Sequence, residues 1–147
     1  MAISRFLALV FLAALAAACV KVSFRRPPAP EELARERGLR DYYLEVAKAF
    51  ATADPDGLAA LYAPNISKPM TLAQIRAWAA KFFAEHGPAR FHVEKLTLDA
   101  VGYRRATATL TYQVRTTSGK GDFGGTEIDE FEKVGERWKM LSWEKVP

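Results

Sequence analysis

Arg105-Ala-Thr-Ala-Thr-Leu-Thr-Tyr-Gln-Val-Arg115 is the stretch that decides the fold. Ala106, Ala108, Leu110, Tyr112 and Val114 alternate without a break against Arg105, Thr107, Thr109, Thr111, Gln113 and Arg115. Successive side chains of a strand point to opposite faces, so this is a strand with one apolar and one polar face. Upstream, Phe91 and Val93 fall out of phase with Leu96 and Leu98; one extra residue, a β-bulge near Glu94-Lys95, returns all four to one face. Downstream, Ser118-Gly-Lys-Gly-Asp122 turns the chain, a third strand covers about 125–134, and Gly135-Glu136 leads tightly into a fourth over 137–146.

Before residue 89 the period is helical. Leu39, Tyr43, Val46, Phe50 and Ala53 form an apolar stripe on a helix predicted over 31–53. Asp54-Pro55 caps and starts a short second helix carrying Leu58, Leu61 and Tyr62, and Pro64 ends it. Thr71 and Gln74 form a capping box for a third helix, Met70 and Ile75 are spaced for a hydrophobic staple, and Gly87-Pro88 stops it. Its buried face is Leu72, Ile75, Ala79, Phe82 and Phe83. Three helices followed by an antiparallel meander of about four strands predict an α+β fold, with the helices packed on one side of a curved sheet.

The N-terminus is of another kind. Arg5 precedes an apolar run from Phe6 to Val20, and Ala16, Ala17 and Ala18 lead into Cys19, the chain's only cysteine. That is the layout of a secretory signal. As a helix the run would reach roughly 22 Å, short against a bilayer core of about 30 Å. Ala16-x-Ala18 suits ordinary signal peptidase. Leu-Ala-Ala-Ala-Cys resembles a bacterial lipobox, in which Cys19 would be lipidated and become the new N-terminus. Lys21, Arg25 and Arg26 outnumber Arg5, which would favour a cytoplasmic C-terminal side were the segment retained. The expected organisation is a signal peptide over 1–18, a lipidated cysteine and Pro-rich linker over 19–30, and a folded domain over 31–147, held at the membrane on the periplasmic side of the envelope.

The chain has 147 residues and a formal charge of +4, with half its residues hydrophobic. Losing 1–18 leaves one domain's worth of chain and no internal disulfide. The basic residues are scattered: Glu31–Arg35, Glu36–Arg40 and Arg37–Asp41 are i,i+4 pairs on a solvated helix face, so nucleic acid is not an expected partner. Gly119-Lys120-Gly121 lacks the spacing of a phosphate loop. No residues have metal-ligand spacing, no cofactor is implied, and Asn65-Ile66-Ser67 is a chance sequon in a bacterial context.

Three stretches carry a resemblance. They are the helix running into Asp-Pro-Asp-Gly-Leu-Ala-Ala-Leu-Tyr-Ala-Pro (54–64), the helix from Thr71 to His86, and Phe-Glu-Lys-Val-Gly-Glu-Arg-Trp-Lys-Met (131–140). In this order they resemble the nuclear transport factor 2-like superfamily, which includes SnoaL-like polyketide cyclases and ketosteroid isomerases. The resemblance implies a cone whose sheet and helices enclose a pocket, and a homodimer formed through the sheets, for which the Thr-rich face of 105–115 is suited. Two features depart from the family pattern. Only residues 65–70 stand where a strand or hairpin usually lies, and Leu141-Ser142-Trp143-Glu144 lacks the histidine of many enzyme-like members.

Tyr42, Tyr62, Trp78, Phe82, Tyr112 and Trp138 are spaced to line an apolar cavity for a small hydrophobic ligand. His86 and His92 are expected at the surface. In Glu127-Ile128-Asp129-Glu130-Phe131-Glu132, Ile128 and Phe131 cannot both face inward, and either phase sends an acid to an apolar side. The favoured expectation places these acids outside, paired with Arg105, Arg115 or Lys133, in a non-catalytic domain that binds a ligand or protein. The alternative is a SnoaL-like isomerase, cyclase or hydrolase. There Tyr112 would stabilise an oxyanion, and Asp129, Glu130 or another acid of 127–132 would act as base.

Overall fold

The computed structural model describes residues 26–147; the expected signal peptide, Cys19 and most of the linker lie outside the described residues. Helices α1 (Pro30–Ala51), α2 (Pro55–Ala59) and α3 (Leu72–His86) precede strands β1 (Ala89–Val101), β2 (Arg105–Thr116), β3 (Phe123–Val134) and β4 (Arg137–Lys145). The strands form one antiparallel sheet in the order β1-β2-β3-β4. This is the expected α+β arrangement of three helices on a four-stranded meander.

The helix starts follow from local chemistry. Asp54 accepts from the Gly57 amide at 2.8 Å, satisfying one free donor of α2. At α3 the Thr71 amide donates to Gln74 Oε1 at 2.8 Å, and the Gln74 amide donates to Thr71 Oγ1 at 3.3 Å. Gly87, at φ 69°, ends α3 in the left-handed region that favours glycine. Helix α1 buries Tyr42 and Ala49 beside the expected stripe, giving a wider apolar face.

The strand phases set the core. In β1 the register slips between Val93 and Lys95, and Phe91, Val93, Leu96 and Leu98 all pack on the core. In β2, Ala106, Ala108, Leu110, Tyr112 and Val114 are buried. In β3, Phe131 wins the contest with Ile128: its ring is fully buried, 5.0 Å from Tyr42 and 6.0 Å from Tyr43, while Ile128 is 41% exposed. In β4, a bulge at Leu141 lets Ser142 pair with Glu130 and Met140 with Phe131. The inward phase therefore passes from Trp138 and Met140 to Trp143 and Lys145.

No strand forms over 65–70. The chain just before it closes the β4 edge instead: Tyr62 bridges Met140 in parallel, the Ala63 amide donates to the Met140 carbonyl at 2.8 Å, and the Met140 amide donates to the Leu61 carbonyl at 3.0 Å. Pairing in this way protects an otherwise open edge.

Candidate functional site

Between α1, α3 and the concave face of the sheet lies a cavity of about 470 Å³, within the range of small-molecule sites. Its apolar part is aromatic. Phe50 stacks on Phe91 at 5.7 Å, Trp78 stacks on Phe82 at 5.4 Å, and Phe91 stacks on Tyr112 at 5.3 Å. Trp78 is 38% exposed, so this wall reaches solvent.

Of the residues expected around a cavity, Tyr42, Tyr62, Trp78, Phe82 and Tyr112 line it. Trp138 does not. Its ring is buried against the first half of α1, where a Cβ on Gly38 would stand 3.2 Å from Trp138 Cδ1, and it serves as core. His92 is exposed, as expected. His86 is not a free surface histidine: it lines the cavity with its ring 5.0 Å from Phe82.

The acids of 127–132 divide by strand parity. Glu130 faces out and accepts from Ser142 Oγ at 2.7 Å; Glu132 faces out and meets Arg105 at 3.3 Å. Glu127 and Asp129 share the inward parity of Phe131 and are buried, with Asp129 fully so. The expectation that this group of acids lies outside is therefore corrected for these two. The inward packing of Phe131 against Tyr42 and Tyr43 carries them in.

Asp129 sits behind the cavity wall. Tyr43 Oη donates to Asp129 Oδ2 at 2.6 Å, while Asp129 Oδ1 has no donor among the described residues. Burial, then the neighbouring Glu127 carboxyl, push Asp129 up to about 8. Glu127 opens on the cavity. Burial raises its pKa as well, against the opposing pull of the Tyr112 hydroxyl, the Asp129 carboxyl and Lys145, its partner across β4. Of the pair, Glu127 is the acid whose surroundings favour charge.

Tyrosines ring this polar end. Burial and the two carboxyls hold the hydroxyls of Tyr42, Tyr43, Tyr62 and Tyr112 protonated, well above the usual tyrosine range. Tyr42 Oη is buried and without a partner among the described residues. An unsatisfied buried hydroxyl is costly unless something accepts from it. No group of three or more metal-ligating side chains occurs among the described residues.

Sequence reading held Glu127 only as one of the acids of 127–132 and singled out neither Tyr43, the partner of Asp129, nor Lys145 at the rim. Tyr43 stands in the apolar stripe of α1, and a phenol there needs a polar partner from the sheet; that was the signal available. The bulge at Leu141, which turns Lys145 inward, has no mark in the sequence.

The fold is that of nuclear transport factor 2-like proteins. The chain superposes on a candidate dehydratase of that family from Streptomyces avermitilis with a TM-score of 0.58 at 15% identity, covering 76% of this chain and 95% of that one. A candidate scytalone dehydratase from Novosphingobium aromaticivorans gives a TM-score of 0.65 at 16% identity, covering 78% and 86%. Bd1075 of Bdellovibrio bacteriovorus gives 0.66 at 10% identity over 78% of this chain; the chain spans only 41% of Bd1075. No protein-family model matches the chain, and no curated protein matches it in sequence.

Proposed function

We propose that the cavity is an active site for proton transfer on a small hydrophobic carbonyl compound, isomerising or dehydrating it. The observation that carries this reading is Glu127: a buried carboxyl with a raised pKa, open to an aromatic cavity and backed by a second acid. A general base works best when its pKa lies near the working pH and it stands inside the substrate cavity. A domain built only to hold an apolar ligand gains nothing from two buried acids that cost stability. Two solved structures of this fold described as candidate dehydratases fit the same reaction class.

In this reading Glu127 removes a proton from the carbon beside the carbonyl. The C–H electron pair becomes the C=C bond of an enolate, and negative charge develops on the carbonyl oxygen. Tyr42, which lines the cavity and whose hydroxyl has no acceptor among the described residues, stabilises that oxygen. The proton returns from Glu127 to another carbon, giving an isomer, or leaves with a β-hydroxyl as water. Tyr112, whose hydroxyl faces Glu127, tunes the base instead of holding the oxyanion. The aromatic walls select a flat apolar body.

The test is exchange at the α-carbon of a panel of hydrophobic ketones in heavy water, followed by NMR. The wild type is expected to speed exchange, and Glu127→Gln to lower it about 10²–10⁴-fold. Ligand binding without exchange above buffer would leave the non-catalytic binding domain as the function.

We also propose that the domain is exported and anchored through lipid on Cys19, and that it pairs with a second copy through the outer face of the sheet. The layout of residues 5–20 supports export. Intact-mass measurement of protein purified from its host tests it: a chain beginning at Cys19 and carrying acyl mass is expected, and an unmodified Met1 would refute it.

A further inference from the structure

We propose that Glu127 and Asp129 form one unit holding a single proton, with Tyr43 as its positioning residue. The inference deepens the proton-transfer reading and rests on it for its catalytic use; the shared proton itself is a property of the protein alone.

The argument begins with an accounting problem. Asp129 has no exposed surface, one oxygen takes the Tyr43 hydroxyl at 2.6 Å, and the other has no donor among the described residues. A buried carboxylate with an empty oxygen is expensive. Glu127 lies two residues away on the same face of β3 and is buried as Asp129 is, and each carboxyl shifts the titration of the other. Two ionised acids at this spacing in an apolar setting repel, and two neutral ones leave the Tyr112 and Lys145 side of Glu127 without an anion to meet. One proton between them answers both: Asp129 becomes the donor its free oxygen lacks, and Glu127 keeps the charge.

The facing groups agree. From α1 come Tyr42 and Tyr43, from the α2–α3 connection Tyr62, from β2 Tyr112 and from β4 Lys145, none of which supplies a further acid. Tyr43 fixes which Asp129 oxygen stays free. During turnover Glu127 takes the substrate proton, so the unit briefly holds two; either can then be returned.

The test is a carboxyl ¹³C NMR titration of the purified full chain labelled at Asp and Glu. Both carbons are expected to move in each of two steps, the upper one close to 8. Asp129→Asn should leave Glu127 with one step. Tyr43→Phe should raise the upper step by about one pH unit, since it removes a hydrogen bond to the ionised form; a purely packing role would not move it. Two carbons each titrating once, independently, would overturn the proposal, as would an upper step unmoved by Tyr43→Phe. The titration needs no substrate, so it can succeed where ketone exchange fails, or fail where exchange succeeds.

Discussion

Asp129 ties the stability of the chain to pH. Folding keeps a proton on it that the unfolded chain gives up near the ordinary Asp value of about 3.9. Between there and about 8 the folded state binds more protons than the unfolded one. Stability therefore falls as pH rises through that window. The melting temperature is expected to drop between about pH 4 and about pH 8, and Asp129→Asn, which still accepts from Tyr43, to flatten the slope. Calorimetry across that range checks both. Tyr112→Phe acts on the other acid: losing a donor to the ionised form raises Glu127, so the acidic limb of the rate profile should move to higher pH with the fold intact. Tyr42→Phe removes a buried hydroxyl that has no partner among the described residues, and should lower kcat about 10²-fold while KM changes little.

At the scale of elements, β3 is the piece that places the chemistry, and its entry is tightly set. A Cβ on Gly124 would lie 2.4 Å from the Tyr112 carbonyl and 2.9 Å from the Gln113 side chain. Gly124→Ala must therefore push β3 away from β2 beside the cavity, at a cost of about 1–3 kcal/mol. Urea unfolding should show it, together with weakened ligand binding, because Tyr112 moves with its strand. The elements themselves were legible where one physical rule decides them. The alternation over 105–115, the capping box at Thr71 and the bulge at 94–95 are local patterns, and each stands where its pattern put it. The site was legible only in part, because β3 offers two apolar residues of opposite parity. Nothing within 127–132 chooses between Ile128 and Phe131. The choice is made across the core by Tyr42 and Tyr43, and with it come two acids that isolated cost arguments place outside.

At the scale of the whole molecule, several polar groups on the convex side of the sheet are already paired within that face. Thr109 donates to Asp99 at 2.7 Å, Thr111 and Thr126 share a hydrogen bond at 3.0 Å, Ser142 donates to Glu130 at 2.7 Å, and Arg105 meets Glu132 at 3.3 Å. Polar atoms paired within the face need not be stripped of essential water bonds when a second surface arrives. Among its contact groups are threonine methyl groups and Ile128, whose exposure is the counterpart of Phe131 turning inward. In a two-fold dimer a residue near the axis meets its own copy. Ile128→Lys would therefore set two ammonium groups against each other while leaving the concave side, with Glu127 and Asp129, untouched. Sedimentation of the wild type is expected to show a concentration-dependent dimer, and Ile128→Lys a monomer that keeps the same carboxyl titration. A wild-type chain that stays single at every concentration would remove the dimer and leave Ile128 as the cost of burying Phe131.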